Sequence, residues 1–143
     1  TELRRFAQAQ SDRVIVTGTL PDVRPYLRRA AVAVTPLVYG VGCQNKVLEA
    51  MACGTPVVST PRAVGALAAG TGKDVVVADG AAPFADAVLG LLASAAARAD
   101  LGRSGRAYVQ AHHQWDHIAA RLEACYADAI AARGHRHLER IAV

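Results

Sequence analysis

The chain has 143 residues, of which 52% are hydrophobic and 5% aromatic, and its formal net charge is +4. This size and composition predict a single domain, 1–143, with a sizeable buried core, and no apolar run is long enough to span a bilayer. The few aromatic residues cannot form a stacking platform for bases, and the arginines are spread along the chain, so we expect no nucleic-acid partner.

Five elements are predicted in the first part of the chain. In order, they are a helix at 2–10, a strand at 13–18, a short helix capped by Asp22, a strand at 31–36 and a helix at 44–53. Gly18 ends the first strand. Gly54 follows the last helix, where a left-handed C-terminal cap favours glycine.

In the second part of the chain, predicted strands and helices alternate in the same way, and the last part is predicted to be helical. In order, we expect a strand at 56–60, a glycine-rich loop with one helical turn, a strand at 74–79, and helices at 81–95, 98–112 and 115–133. Short apolar strands that alternate with helices predict an α/β fold, a Rossmann-like parallel sheet with helices on both faces. Residues 13–95 would form its core and 98–133 its C-terminal helices. Because four strands are few and the chain begins in a helix without methionine, we expect a fragment that lacks leading strands.

The cysteines give little sign of a metal site or of disulfides. There are three, Cys43, Cys53 and Cys125, and no two of them form a Cys-x-x-Cys pair. An odd number without such spacing predicts reduced thiols. No spacing of cysteine and histidine suits a metal, and no Asp-x-Asp motif is present, so we expect no bound metal.

The loop after the strand at 31–36 is the strongest candidate for a binding site. Ligands of open parallel sheets bind beyond the carboxyl ends of the strands, and Gly40 and Gly42 allow close approach of the backbone. The next helix offers free N–H groups at its start, and its dipole is positive there. Those N–H groups belong to Gln44, Asn45 and Lys46. Such a helix start suits a phosphate or diphosphate, which would also compensate the charge of Lys46.

Glu49 lies one turn further along the same helix. Its carboxylate can accept two hydrogen bonds from adjacent hydroxyls, as ribose presents them. The small residues Ala50, Ala52 and Gly54 would let the helix lie close to the strand beneath. These residues alone leave an alternative open, an ordinary amphipathic helix with an exposed Lys46–Glu49 pair that contributes about 0.2–0.5 kcal/mol.

A longer pattern is shared with a known family. The segments VTGTLPDVRPYLRRAAVAVTPL and GVGCQNKVLEAMACGTPVVST resemble the C-terminal, donor-binding domain of glycosyltransferases with the two-domain GT-B architecture. More narrowly they resemble the retaining family 4, and GxxQNKxLEAMAxGxPVV is similar to sugar transferases of bacterial exopolysaccharide systems. The resemblance implies a hexosyltransferase that moves a sugar from a UDP-, GDP- or ADP-sugar donor to a glycan or lipid-linked acceptor, without a cofactor.

The resemblance also implies roles for single residues. Glu49 matches the second glutamate of the family's E-x7-E pattern, which contacts the donor ribose, and we expect it to act in catalysis. The expected base contacts are Gly18 and Leu20. The expected diphosphate contacts are Gly42, Cys43, Gln44, Asn45 and Lys46. The first glutamate of the pattern falls on Val41, which leaves the donor sugar and the activity open.

Partners and location follow from the same resemblance. The acceptor would bind an N-terminal domain outside this chain, so we expect the chain alone to bind the donor without catalysing transfer. We expect a cytoplasmic protein, peripheral at the inner membrane face. The last helix, anchored by Trp115, is expected to expose an apolar face, which favours self-association.

Three other functions compete with this interpretation. The first is a degenerate, non-catalytic binding or assembly module, which Val41 favours. The second is a nucleotide-sugar epimerase, which needs acid and base residues that are missing near the glycine loop apart from Glu49. The third is nucleic-acid binding through the arginines, which predicts strong salt dependence and no need for Glu49.

Overall fold

The computed structural model of the chain describes residues 2–10, 13–39 and 44–139 and contains a parallel β-sheet. Its strands are β1 (Ala33–Thr35), β2 (Val57–Ser59) and β3 (Val76–Val77), in the order β1-β2-β3. Val34 is opposite Val58, and Ser59 is opposite Val77. The predicted α/β class and parallel sheet are therefore confirmed.

Seven helices are present in the described part of the chain. They are α1 (Glu2–Ala9), α2 (Arg24–Arg29), α3 (Asn45–Ala52), α4 (Pro61–Val64), α5 (Ala81–Ala93), α6 (Ala95–His112) and α7 (Trp115–Glu139). The single turn of α4 and the helices α3, α5 and α6 lie where the sequence predicts them. Gly54 has φ +76°, so the predicted left-handed end of α3 is confirmed.

The sheet separates two apolar clusters. Val47, Ala50 and Met51 of α3 pack with Val57 on one face, while Val58 packs with residues of α5 and α6 on the other. Because successive residues of a strand point to opposite faces, the neighbouring valines of β2 reach both clusters. Helices thus cover both faces, as predicted.

The helix α6 approaches the rest of the fold through two glycines. A Cβ atom on Gly102 would overlap the carbonyl oxygen of Gly54, and one on Gly105 would lie 2.9 Å from that of Asp74. The Ser104 hydroxyl donates a hydrogen bond of 2.6 Å to the buried carboxylate of Asp74. The helix α6 therefore packs closely against the end of α3, a contact that was not predicted from the sequence.

The predicted strand at 13–18 is wrong. The N–H groups of Arg13 and Val14 donate to the carbonyl of Gln10, and residues 13–18 form no strand in the described structure. Ile15 is 84% exposed. A β-branched run favours an extended backbone, but a strand also needs a neighbouring strand for its hydrogen bonds, and none of β1–β3 pairs with this run.

Asp22 accepts a hydrogen bond at the start of α2, as a capping residue does, but it lies one position before the N-cap. Val23 occupies the N-cap position. The Asp22 carboxylate accepts a hydrogen bond of 2.9 Å from the backbone N–H of Arg24 and also pairs with its guanidinium. The Arg24 guanidinium lowers the pKa of Asp22 below its usual range. Asp22 thus orders the turn between the 13–18 segment and α2.

The last helix exposes an apolar face, as predicted, but Trp115 does not anchor it. Trp115 is 82% exposed, and Ile118, Leu122, Tyr126 and Ile130 of α7 are also exposed. In the described residues, no helix is long and apolar enough to cross a membrane. Self-association through this face stays a prediction.

Three aromatic rings meet where α6 ends and α7 begins. The Tyr108 ring lies 4.9 Å from that of His112 and 5.3 Å from that of His113. Nε2 of His113 is 3.2 Å from the Tyr108 hydroxyl oxygen. Burial lowers the pKa of His113, and the neighbouring His112 lowers it further.

This lowered pKa predicts that acid weakens the fold. In the folded chain His113 holds its proton less tightly than in the unfolded chain, so the unfolded state binds more protons as the pH falls through the ordinary histidine range. We therefore expect the free energy of unfolding to decrease from about pH 8 to about pH 5. Urea denaturation measures it. The His113→Gln variant should show a flatter pH dependence, whereas His117→Gln on exposed α7 should match the unmodified chain; identical profiles for all three would contradict the prediction.

Candidate functional site

The carboxyl ends of the three strands meet at one edge of the sheet, and hydrogen bonds hold them together. The Thr60 hydroxyl, just after β2, donates a bond of 2.6 Å to the carbonyl of Leu37, just after β1. The Ala78 N–H, just after β3, donates a bond of 3.0 Å to the carbonyl of Ser59. These hydrogen bonds join the ends of the three strands, which would form one surface of a ligand site at this edge.

The helix α3 begins at the same edge because it follows β1, and it has two different faces. Val47 and Met51 are buried against the sheet, at 0% and 1% exposure. Asn45, Lys46 and Glu49 are exposed. Residues three and four apart share a helix face, so these three side chains lie together on the solvent side, as the proposed donor contacts require.

Lys46 and Glu49 do not neutralise each other. No hydrogen bond or ion pair in the described part of the chain joins their side chains, either to one another or to a third residue. The first turn of α3 contains no acidic residue, and Gln44 stands at its N-cap with an extended backbone, φ −91° and ψ 96°. Within the described ranges, the start of α3 therefore presents a positive dipole end and the Lys46 ammonium with no carboxylate paired to it.

The structure describes only some of the other residues that are predicted to contact the donor. Gly42 and Cys43 lie outside the described residues, as does Val41. Gly18 has φ +69° and is exposed, and Leu20 is half-buried. The following helix α2 contacts α3, and the Thr55 hydroxyl donates to the carbonyl of Leu27, but no described hydrogen bond joins the Gly18–Leu20 segment to α3. The base contacts stay predictions.

A cavity that the sequence analysis missed opens at the same edge, on the side of α5. Its volume is about 990 Å³, and its lining includes Leu37, Thr60, Arg62, Asp79 and Phe84. Thr60, Arg62 and Asp79 all come within a few residues of a strand end. The rule that ligands bind beyond the carboxyl ends of parallel strands would have indicated them, as it indicated the loop after β1.

Comparison with known proteins decides the family. A family profile described as "Glycosyl transferases group 1" matches residues 1–94. The chain belongs to the group 1 glycosyl transferases. A solved structure of sucrose-phosphate synthase from Thermosynechococcus elongatus is similar, with a TM-score of 0.78 and 29% identity. No curated protein sequence matches the chain.

The similarity to that synthase covers 92% of this group 1 glycosyl transferase chain and 34% of the synthase chain. The chain thus spans about a third of the length of this relative. The family and the fold agree with the predicted resemblance to GT-B glycosyltransferases: this is a Rossmann-like domain of the GT-B type in the group 1 glycosyl transferase family. Glycosyl transfer, with a sugar donor and an acceptor, is the general chemistry that this family carries out.

Proposed function

We propose that this domain binds the nucleoside-diphosphate sugar of a glycosyltransferase at the start of α3. The observation that supports it best is the pair of exposed, unpaired charges, Lys46 and Glu49, on a helix whose opposite face is fully buried. A rigid helix that offers a cation at its N-terminus and a carboxylate one turn later matches a diphosphate joined to a ribose.

The proposed mechanism follows from where charge develops. When the sugar leaves its donor, negative charge accumulates on the departing diphosphate. The N–H groups at the start of α3 and the Lys46 ammonium would stabilise that charge, because they are held in place before the reaction. Gly42, Cys43 and Gln44 would complete this anion site with Asn45. Glu49 would hold the ribose and thereby orient the donor, while Gly18 and Leu20 would contact the base.

The finer features of the reaction belong to the same proposal. Transfer would be retaining and of the hexosyl type, as in family 4, with a UDP-, GDP- or ADP-sugar as donor. The acceptor would be a glycan or lipid-linked sugar in bacterial polysaccharide synthesis, bound largely by the rest of the protein at the cytoplasmic face of the membrane. The domain alone would bind the donor but would not transfer the sugar.

Nucleotide binding tests this proposal. We expect UDP, GDP or ADP, at a hundredfold excess over its dissociation constant, to stabilise the chain by about 2.7 kcal/mol in thermal unfolding. Glu49→Gln should weaken the binding about tenfold or more, since a hydrogen bond to a charged group contributes about 1.5–3 kcal/mol. Asp86→Asn, which removes an exposed carboxylate of α5, is the matched control and should bind as the unmodified chain does.

Two results would contradict the proposal. One is equal nucleotide affinity of the unmodified chain and the Glu49→Gln variant, because Glu49 would then not bind the ribose. The other is the absence of stabilisation by any of the three nucleotides or their sugar conjugates. That second result would favour the degenerate module, which the valine at position 41 already favours on sequence grounds.

A further inference from the structure

The cavity on the α5 side is formed by elements other than α3. Its walls come from the residues after β1, β2 and β3 and from the first turns of α5, and no residue of α3 lines it. Its volume of about 990 Å³ is at the upper end of the range of about 300–1,000 Å³ that small-molecule sites occupy. There is therefore room for a small-molecule ligand that contacts no residue of α3.

The cavity presents two charged groups of opposite sign that do not pair. Arg62 and Asp79 both line it and are both exposed. Neither forms a hydrogen bond or an ion pair with another residue in the described ranges. Arg62 lies in the single turn of α4 after β2, and Asp79 follows β3. One donor group and one acceptor group thus face the same space from neighbouring strands.

The apolar wall of the cavity is fixed by the core. Phe84 of α5 packs against the cluster around Val58 and Leu91, so one side of its ring is held while the ring also lines the cavity. Pro36 and Leu37 supply further apolar surface. The bond from the Thr60 hydroxyl to the carbonyl of Leu37 holds these two strand ends together. A ligand would meet a preformed wall and would not have to order it.

We propose that this cavity binds a sugar ring of the acceptor, an inference that rests on the proposed function. A carboxylate such as Asp79 accepts hydrogen bonds from adjacent hydroxyls, and a guanidinium such as Arg62 donates to hydroxyl and ring oxygens. The C–H face of a sugar ring packs on an apolar and aromatic surface such as Phe84. No residue of α3 lines the cavity, so we assign a ring bound there to the acceptor and not to the donor, whose diphosphate is proposed to bind at α3.

An NMR titration of the ¹⁵N-labelled chain tests the inference, with methyl α-glucoside and methyl α-mannoside as probes. We expect either glycoside to shift the backbone amides of Arg62, Asp79 and Phe84 and to leave those of Lys46 and Glu49 unchanged. Asp79→Asn should weaken this binding about tenfold. Arg62→Gln should also weaken it, and both side chains are exposed, so neither change should unfold the chain.

The matched control is Asp86→Asn, an exposed carboxylate on the same helix α5, which should leave glycoside binding unchanged. The inference is overturned if neither glycoside shifts the cavity amides. It is also overturned if those amides respond only to a nucleotide sugar, because the ring would then be the donor's. A parallel titration with UDP, GDP and ADP reports on Lys46 and Glu49, so failure of the donor site is seen separately from failure of the acceptor site.

Discussion

Replacing Gly102 by alanine is expected to destabilise the chain by about 1–3 kcal/mol, although alanine is the better helix former. The methyl group would overlap the carbonyl oxygen of Gly54, which is backbone and cannot rotate away. The helix α6 would have to move off the end of α3 and would strain the neighbouring contact at Gly105. Urea denaturation of the two proteins gives the difference directly.

Gly90 provides the control for this change. It also lies inside a helix, α5, but a Cβ atom there meets nothing within 4 Å. Gly90→Ala should therefore raise the free energy of unfolding by about 0.5–1 kcal/mol, the ordinary gain from removing a helical glycine. If both alanine variants were stabilised, the close approach of α6 to Gly54 would not exist in solution.

Truncation of Met51 to alanine should cost about 2–5 kcal/mol of folding free energy, the range for large buried side chains. Met51 is 1% exposed and belongs to the cluster on the α3 face of the sheet. Its removal would leave a cavity between α3 and the residues that pack on it, including α6 near Gly105. Denaturant unfolding at equilibrium measures the loss.

Leu89→Ala is the matched control, since Leu89 is 62% exposed on α5. We expect a change within about 0.5 kcal/mol there. A similar cost at both positions would contradict the packing of α3 described above. The Met51 variant should also weaken nucleotide binding, because a loosened α3 would no longer hold Lys46 and Glu49 in place.

Local sequence signals were sufficient where the chain's own neighbours determine the structure. The apolar runs containing Val57–Ser59 and Val76–Val77 form strands, the first buried and the second half-buried, and Gly54 ends α3 by a local backbone conformation. The exposed face of α3 could also be predicted, since residues three and four apart share a side of any helix.

The wrong predictions concern features that depend on contacts between distant parts of the chain. Ile15 lies in a run with strong strand preference but has no partner strand in the described structure. Trp115 is predicted to anchor the last helix, yet it faces solvent. The contact between Gly102 and Gly54 joins residues far apart in sequence, and a glycine inside a helix gives no sign of which backbone it approaches.

The position of α6 bears on how the domain comes apart. This one helix contributes Tyr108 to the cluster on the α3 face of the sheet and Leu101 to the cluster on the α5 face. The Ser104 hydroxyl of α6 also donates a hydrogen bond to Asp74, two residues before the last strand. Detachment of α6 would expose both clusters at once, so unfolding that begins at α6 would affect both faces of the sheet. We therefore expect α6 to couple the two faces of the sheet, so that its loss would loosen both the helix bearing Lys46 and Glu49 and the helix α5.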